Sequence, residues 1–99
     1  MNNNFLGMLG MAKRAGKVST GEFICTKLIK KHESKLVIIA EDASANTKKS
    51  VINSCRYYNV EYAEAGTMAD LGKYTGSSER AVVSVNDNNF AKAILDRLN

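Results

Sequence analysis

The sequence predicts an α/β protein, a three-layer α/β/α sandwich with a small mixed central sheet. Three observations carry that expectation. LVIIA (36–40) and AVVSV (81–85) are short, continuous, β-branched apolar runs, the pattern of a strand buried on both faces. The segments around them instead repeat apolar residues at helical spacing. Glycines and short polar caps punctuate a chain with no proline, giving the order helix, helix, strand, helix, strand, helix, strand, helix.

The elements follow in order. Phe5, Leu9 and Ala12, with Leu6 and Met8, form the first helical stripe, and Gly16 suits the left-handed position that closes a helix. Lys13 and Arg14 fall in its last turn and complement the helix dipole. Ser19 with Glu22 three residues on reads as a capping box, which starts a second helix in KVSTGE and runs it to about Lys31. LVIIA is the first strand and ends at Glu41 and Asp42. Ser44 and Asn46 offer caps for a third helix with Val51, Ile52, Cys55 and Tyr58 on one side, and Asp42 is expected to cap the same helix. VEYAEA is a weak strand. Thr67 and Asp70 open a short helix stopped near Gly72 to Gly76, AVVSV is the last strand, and Asp87 caps a final helix with Phe90, Ala91, Ile94, Leu95 and Leu98 on one face. Right-handed crossovers make part of the sheet parallel.

The 99 residues are expected to form one domain, 1–99. No apolar run approaches the roughly 18 residues of a membrane span. In MNNNFLGMLGMAKRAG the positive charges follow the apolar part, the reverse of a secretory signal, so a cytoplasmic location is expected. Cys25 and Cys55 stand 30 positions apart with one histidine in the chain, His32, which fits reduced core thiols better than a metal site or a disulfide framework.

Charge is the more informative property. The chain is formally +4, but residues 13 to 35 hold seven basic and two acidic residues, while the rest holds seven basic and eight acidic. In a sheet of this kind, strand ends and helix starts gather along one edge, where ligands bind. That places Ser19 to Lys27, Glu41 to Asn46 and Gly76 to Arg80 together. Lys27, Lys30 and Lys31 share one stripe of the second helix, opposite Ile24, Cys25, Leu28 and Ile29. Phe23 falls among the lysines, either packed under the preceding loop or exposed. A helix N-terminus, ammonium groups and an exposed aromatic form a combination suited to RNA. Gly21 within the first turn suggests close approach of a foreign backbone. Nucleotide-loop, zincin and nucleophile-elbow motifs do not occur, and the adjacent carboxylates Glu41 and Asp42 are the one place acid–base or Mg²⁺ chemistry would sit.

GEFICTK (21–27), KLVIIAEDAS (35–44) and DLGKYTG (70–76), followed by a polar loop and AVVSV, resemble in order and spacing the kink-turn RNA-binding ribosomal protein family, and within it the small bacterial YlxQ type. SANTKKSVINSCRYYNV (44–60) extends the likeness over nearly the whole chain. The resemblance implies the three-layer α/β/α sandwich and binding of a bent helix–bulge–helix RNA with tandem G·A pairs. The family's helix-opening motif, G-x-N-E-x-x-K, is matched by Gly21 and Lys27, while Phe23 and Ile24 replace the Asn and Glu that read the G·A pairs. Glu22 is displaced by two positions and turned away on a helix. The loop that clamps an extruded nucleotide is Ser77, Ser78, Glu79, Arg80 and Ala81 here, polar where the family is apolar.

The expected function is ribosome-associated, non-catalytic binding of ribosomal or other structured RNA. Arg14, Lys17, Lys27, Lys30 and Lys31 would supply charge, Gly21 the backbone approach, and Arg80 with its loop the nucleotide clamp. About four neutralised phosphates would give a slope of log K against log salt near −3. No cofactor, metal or membrane contact is expected, and a monomer is the default state. Two rivals remain at this level: a protein-interaction module whose lysine face meets an acidic partner, and an enzyme using Glu41 and Asp42 on a phosphorylated small molecule.

Overall fold

The computed structural model describes residues 4–98. Five helices and four strands alternate as α1 (Phe5–Arg14), β1 (Val18–Thr20), α2 (Glu22–Lys30), β2 (Leu36–Ile39), α3 (Ala45–Tyr57), β3 (Tyr62–Glu64), α4 (Met68–Tyr74), β4 (Val82–Val85) and α5 (Asn88–Leu98). The first three residues of the N-terminal segment read above for targeting lie outside the described part.

One sheet forms in the order β1-β4-β2-β3. β4 runs antiparallel to both of its neighbours, and β2 pairs parallel with β3, with Val37 opposite Tyr62 and Ile39 opposite Glu64. The β2–α3–β3 connection is thus the expected crossover. Every residue of β2 and β4 is buried. Since successive side chains point to opposite faces, both faces of these strands are covered, by α2 and α3 packed on one another and by α1 packed on α4 and α5. Each fully buried Ile or Leu of this core contributes on the order of 1.5–3 kcal/mol relative to exposure.

The fourth strand, β1, was not expected. Ser19 lies inside it, opposite Ser84, and not at a helix start. Its hydroxyl accepts a hydrogen bond from Asn86 Nδ2 at 3.1 Å. The capping box therefore does not form, and the N-cap of α2 is Gly21, with no side-chain cap. Three residues carry too short an alternation to announce a strand, and the pairing that fixes β1 comes from a partner more than 60 residues away. Ser84, buried at the centre of the sheet, stays satisfied: its hydroxyl lies 2.7 Å from Ser34 Oγ and 2.6 Å from Asn86 Oδ1. With one proton per hydroxyl, Ser34 donates to Ser84 and Ser84 to Asn86.

The remaining caps sort between expectation and correction. Ser44 caps α3 through the Thr47 amide, Thr67 caps α4 through the Asp70 amide, and Asp87 accepts from the Phe90 amide. Gly16 is left-handed, with φ of 76°. Asp42, however, does not cap α3: its Oδ1 accepts from the Met68 amide at 2.8 Å and so anchors the start of α4. This contact spans 26 residues, and no local pattern reveals it.

The sheet has two ends. At one, called the rim below, Gly21 N–H meets Val82 C=O, Ala40 N–H meets Ala81 C=O and Glu41 N–H meets Gly66 C=O, at 3.0, 2.9 and 2.8 Å. At the other, called the pole, Asn86 N–H meets Lys17 C=O, Lys35 N–H meets Val85 C=O and Val37 N–H meets Glu61 C=O. α2 and α3 start at the rim and finish at the pole.

Candidate nucleic-acid interface

The rim is built around Gly21. Its φ of 100° and ψ of 142° lie where residues with a Cβ are strained, and this conformation turns the chain from β1 directly into α2. A Cβ there would meet nothing within 4 Å, so the backbone angle, not crowding by the protein's own atoms, calls for glycine, and the space in front is open. The first intrahelical bond of α2 runs from Cys25 N–H to Gly21 C=O. The amides of Glu22, Phe23 and Ile24 therefore precede the ladder and point along the helix axis with its positive dipole end.

Arg80 completes the rim. Its Nε donates to Thr20 Oγ1 at 3.2 Å and its Nη1 to the Glu79 main-chain oxygen at 3.0 Å, which holds the guanidinium across the entrance of α2. The Glu79 carboxylate takes no part in this. The 77–79 loop is held against α4, where Ser77 N–H meets Gly72 C=O at 2.8 Å. A Cβ on Gly72 would run into the Ser78 carbonyl, so the loop rests directly on the backbone of α4. Arg80 N–H in turn bonds Met68 C=O at 3.0 Å. Ser77, Ser78, Glu79, Arg80 and Ala81 are thus one structured segment beside Gly21, and the third stretch, Glu41 to Asn46, is tied to the other two through its neighbours, Ala40 to Ala81 and Thr47 to Glu22.

Glu22 faces α3, its Oε1 accepting from Thr47 Oγ1 at 3.2 Å. Phe23 is 76% exposed and Ile24 50% exposed, so both residues standing at the family's Asn and Glu positions form an apolar patch on the entrance. Exposure of Ile24 corrects its assignment to the core-facing side. The signal was available: Ile24 is about 100° around the helix from Cys25, away from the line of Cys25 and Ile29 that is fully buried. Lys27 Nζ lies 5.5 Å from the Phe23 ring centre, and its stem folds back toward the start of α2.

The other cations lie elsewhere. Lys30 and Lys31 close α2 at the pole, roughly 13 Å along the helix from Gly21 at 1.5 Å per residue. Arg14 and Lys17 precede β1, also at the pole. Helix and strand direction, not residue type, sends them there. Thr20 and Thr47, which hold Arg80 and Glu22, went unnoticed in the sequence because a threonine that positions a charge 25 or 60 residues away leaves no local mark. Lys48 was missed as well: its ammonium donates to Glu41 C=O at 2.6 Å and pairs with Glu64 at 3.1 Å.

Among the described residues no group of three or more His, Cys, Asp or Glu side chains is placed to hold a metal ion. No described helix is long and apolar enough to cross a membrane. Cys25 and Cys55 are free and buried, with burial pushing their thiols up to about 12 and about 11.

Comparison with known proteins agrees with this architecture. The chain is 43% identical over 91 residues to the RNA-binding protein YlxQ of Bacillus subtilis, covering 92% of this chain and 91% of that protein. It is 36% identical over 83 residues to the large ribosomal subunit protein eL8 of Thermoplasma volcanium, covering 83% of this chain and 69% of that protein. Among solved structures, a protein of unknown function from Bacillus halodurans superposes with a TM-score of 0.92 at 32% identity, covering 96% of each chain. The first two relatives bear the names of an RNA-binding and a ribosomal protein, not of enzymes. With residues 3–95 matching the family model, the chain belongs to the Ribosomal protein L7Ae/L30e/S12e/Gadd45 family.

Proposed function

We propose that this protein binds structured RNA at the rim, without catalysis, and that its target is a bent helix–bulge–helix element of the kink-turn type in a ribosomal or other structured RNA. The observation that carries the reading is the Arg80 guanidinium held on Thr20 at 3.2 Å, next to the uncapped amides that follow Gly21. The names of the relatives support RNA as the ligand class. A phosphate lies on the amides of Glu22 and Phe23, Lys27 and Arg80 add charge, and the 77–81 segment holds an extruded nucleotide. Phe23 and Ile24 cannot read guanine edges by hydrogen bonds, so they stack on or pack against the sheared pairs, and preference rests on bent shape more than on base-edge contacts. With Lys30, Lys31, Arg14 and Lys17 at the far end, the rim neutralises about two phosphates, and the salt slope expected of it is nearer −2 than −3.

The test is fluorescence anisotropy with two RNAs of equal length, one with a G·A-rich asymmetric internal loop and one with that loop closed by Watson–Crick pairs. At least tenfold preference for the looped RNA, lost in Arg80→Ala, is expected. Equal affinity for the two RNAs would overturn the kink-turn assignment, and no change on Arg80→Ala would overturn the rim as the binding surface. The protein-interaction rival can claim the exposed Phe23 and Ile24, but not the Arg80 guanidinium held beside uncapped amides. The enzyme rival loses its carboxylate, since Asp42 already serves the α4 N-terminus.

A further inference from the structure

The pole gathers the excess of positive charge and is left unused by the reading above. Lys13, Arg14, Lys17, Lys30, Lys31, Lys35 and Arg56 stand at this end against Glu33, Glu61 and Asp87, so it carries a formal +4, the value of the whole chain. Part of this answers the helix dipoles, because α1, α2 and α3 all finish here. Three C-termini contribute roughly −0.5 each and the start of α5 about +0.5, which leaves the potential positive. Lys17 and Lys35 sit in strand entries, not helix ends. Among the described residues none of these seven cations is in a salt bridge.

A groove of about 1000 Å³ opens at this end between the α2–β2 connection, the end of α3 and the start of β3, lined in part by His32, Lys35, Arg56 and Glu61. Lys35 Nζ donates once, to His32 C=O at 3.1 Å, and keeps donors for a ligand. Beside the groove runs a row of rings. His32 meets Tyr58 edge-on with centroids 6.0 Å apart, and Tyr58 meets Tyr57 edge-on at 4.8 Å. Tyr57, at the end of the row, is 81% exposed. A phenol held by an edge contact and otherwise open to water offers a flat face beside ammonium and guanidinium groups.

We propose that the pole is a second RNA-contacting surface that takes a single-stranded segment, with phosphates on Lys31, Lys35 and Arg56 and a base stacked on Tyr57. Paired cations and an open aromatic face suit a flexible strand, whose bases are free to splay, better than a duplex. An acidic polypeptide would satisfy the cations and leave Tyr57 without a role. Glu61 repels phosphate but accepts from an exocyclic base amine, so it orients the strand with a base, not its backbone, toward the groove. With a folded RNA element at the rim and a single strand at the pole, the protein bridges two RNA segments.

The probe is a 12-nucleotide mixed-sequence single-stranded RNA carrying 4-thiouridine, followed by anisotropy and by mass spectrometry of crosslinked peptides. The triple variant Lys31→Glu, Lys35→Glu, Arg56→Glu is expected to weaken binding at least tenfold and to flatten the salt slope by about 2, at roughly 0.7 per lost phosphate contact. Crosslinks should fall on the peptide containing Tyr57, and Arg80→Ala should leave this binding unchanged. Tyr57→Ala, exposed and without effect on the core, should lose several-fold and decides the matter if the triple variant melts early. Crosslinks confined to rim peptides, triple-variant and Tyr57→Ala binding within twofold of the parent, or displacement of the RNA by poly-glutamate at equal charge concentration would each overturn the proposal. The last outcome would assign the pole to an acidic protein. Because the rim reading is scored on looped RNA with Arg80→Ala, either proposal can fail while the other stands.

Discussion

At the rim, Arg80 is bonded to Thr20 and to its own loop, and Lys48 to Glu41 and Glu64, so the charged groups are held by the protein before any ligand arrives. At the pole, Lys30, Lys31 and Arg56 end in solvent, and the cationic excess is large. The rim has fixed geometry without a cationic excess; the pole has charge with less fixed geometry. Preorganised donors discriminate shape, because little ordering entropy is lost when the matching ligand docks. Loose cations add affinity for any polyanion and make it sensitive to salt. On the proposed reading, one end of the sheet serves selectivity and the other attraction.

The sharpest break should come from Gly72→Ala. A methyl group cannot share space with the Ser78 carbonyl, so the 77–81 segment must lift from α4. Overpacking of this kind costs about 1–3 kcal/mol. Thermal unfolding should show that loss, and looped-RNA affinity should fall by a larger factor than single-strand affinity; equal losses would mean that the two ends are not separate.

Gly21→Ala follows. The added methyl meets nothing, so the expected loss of about 1–2 kcal/mol is backbone strain at positive φ. If α2 re-registers to relieve it, the entrance amides move and rim binding falls about tenfold, while binding at the pole stays within twofold. A variant as stable as the parent would show that the 100° angle is not required.

Lys27→Ala should do less, a few-fold in looped-RNA affinity with the salt slope smaller by about one. It also removes the cation over Phe23. An unchanged slope would place Lys27 outside the phosphate path.

The smallest effect belongs to the thiols. Burial favours the neutral form of Cys25 and Cys55, so their folded values lie above the ordinary 9.0. Below pH 9 both states hold these protons and nothing changes. Between pH 9 and about 12 the unfolded chain ionises first, so stability should fall with rising pH in that window. Neither thiol should react with a thiol reagent at pH 8 in the folded protein. Cys55 borders the pole groove, and fast labelling of it in the triple variant would reveal that charge reversal had opened that end.

How legible the molecule was follows from the range of each signal. β2, β4, α3 and α5 were readable because their apolar periodicity or their caps at Ser44 and Asp87 lie within the segment itself. β1 was not, since three residues pair with a strand distant in sequence, and that pairing converted Ser19 from a helix cap into a sheet residue. At the candidate site, the positions of Gly21, Phe23 and Lys27 at the entrance of α2 were legible by type and spacing, and that of Arg80 by its place in the loop; its role stays a proposal. Its hold on Thr20 and the service of Asp42 to α4 were not.

The sequence alone determined the five helices and three of the four strands, that two thiols would be buried, and that an unusual share of positive charge falls between residues 13 and 35. Only the tertiary structure decided where that charge goes. A helix carries its last turn some 13 Å from its first, so a basic run that looks like one patch along the chain is divided between the two ends of the sheet. Burial and periodicity are local properties that a linear reading can sum, but the convergence of groups in space depends on chain direction and pairing, which long-range contacts set.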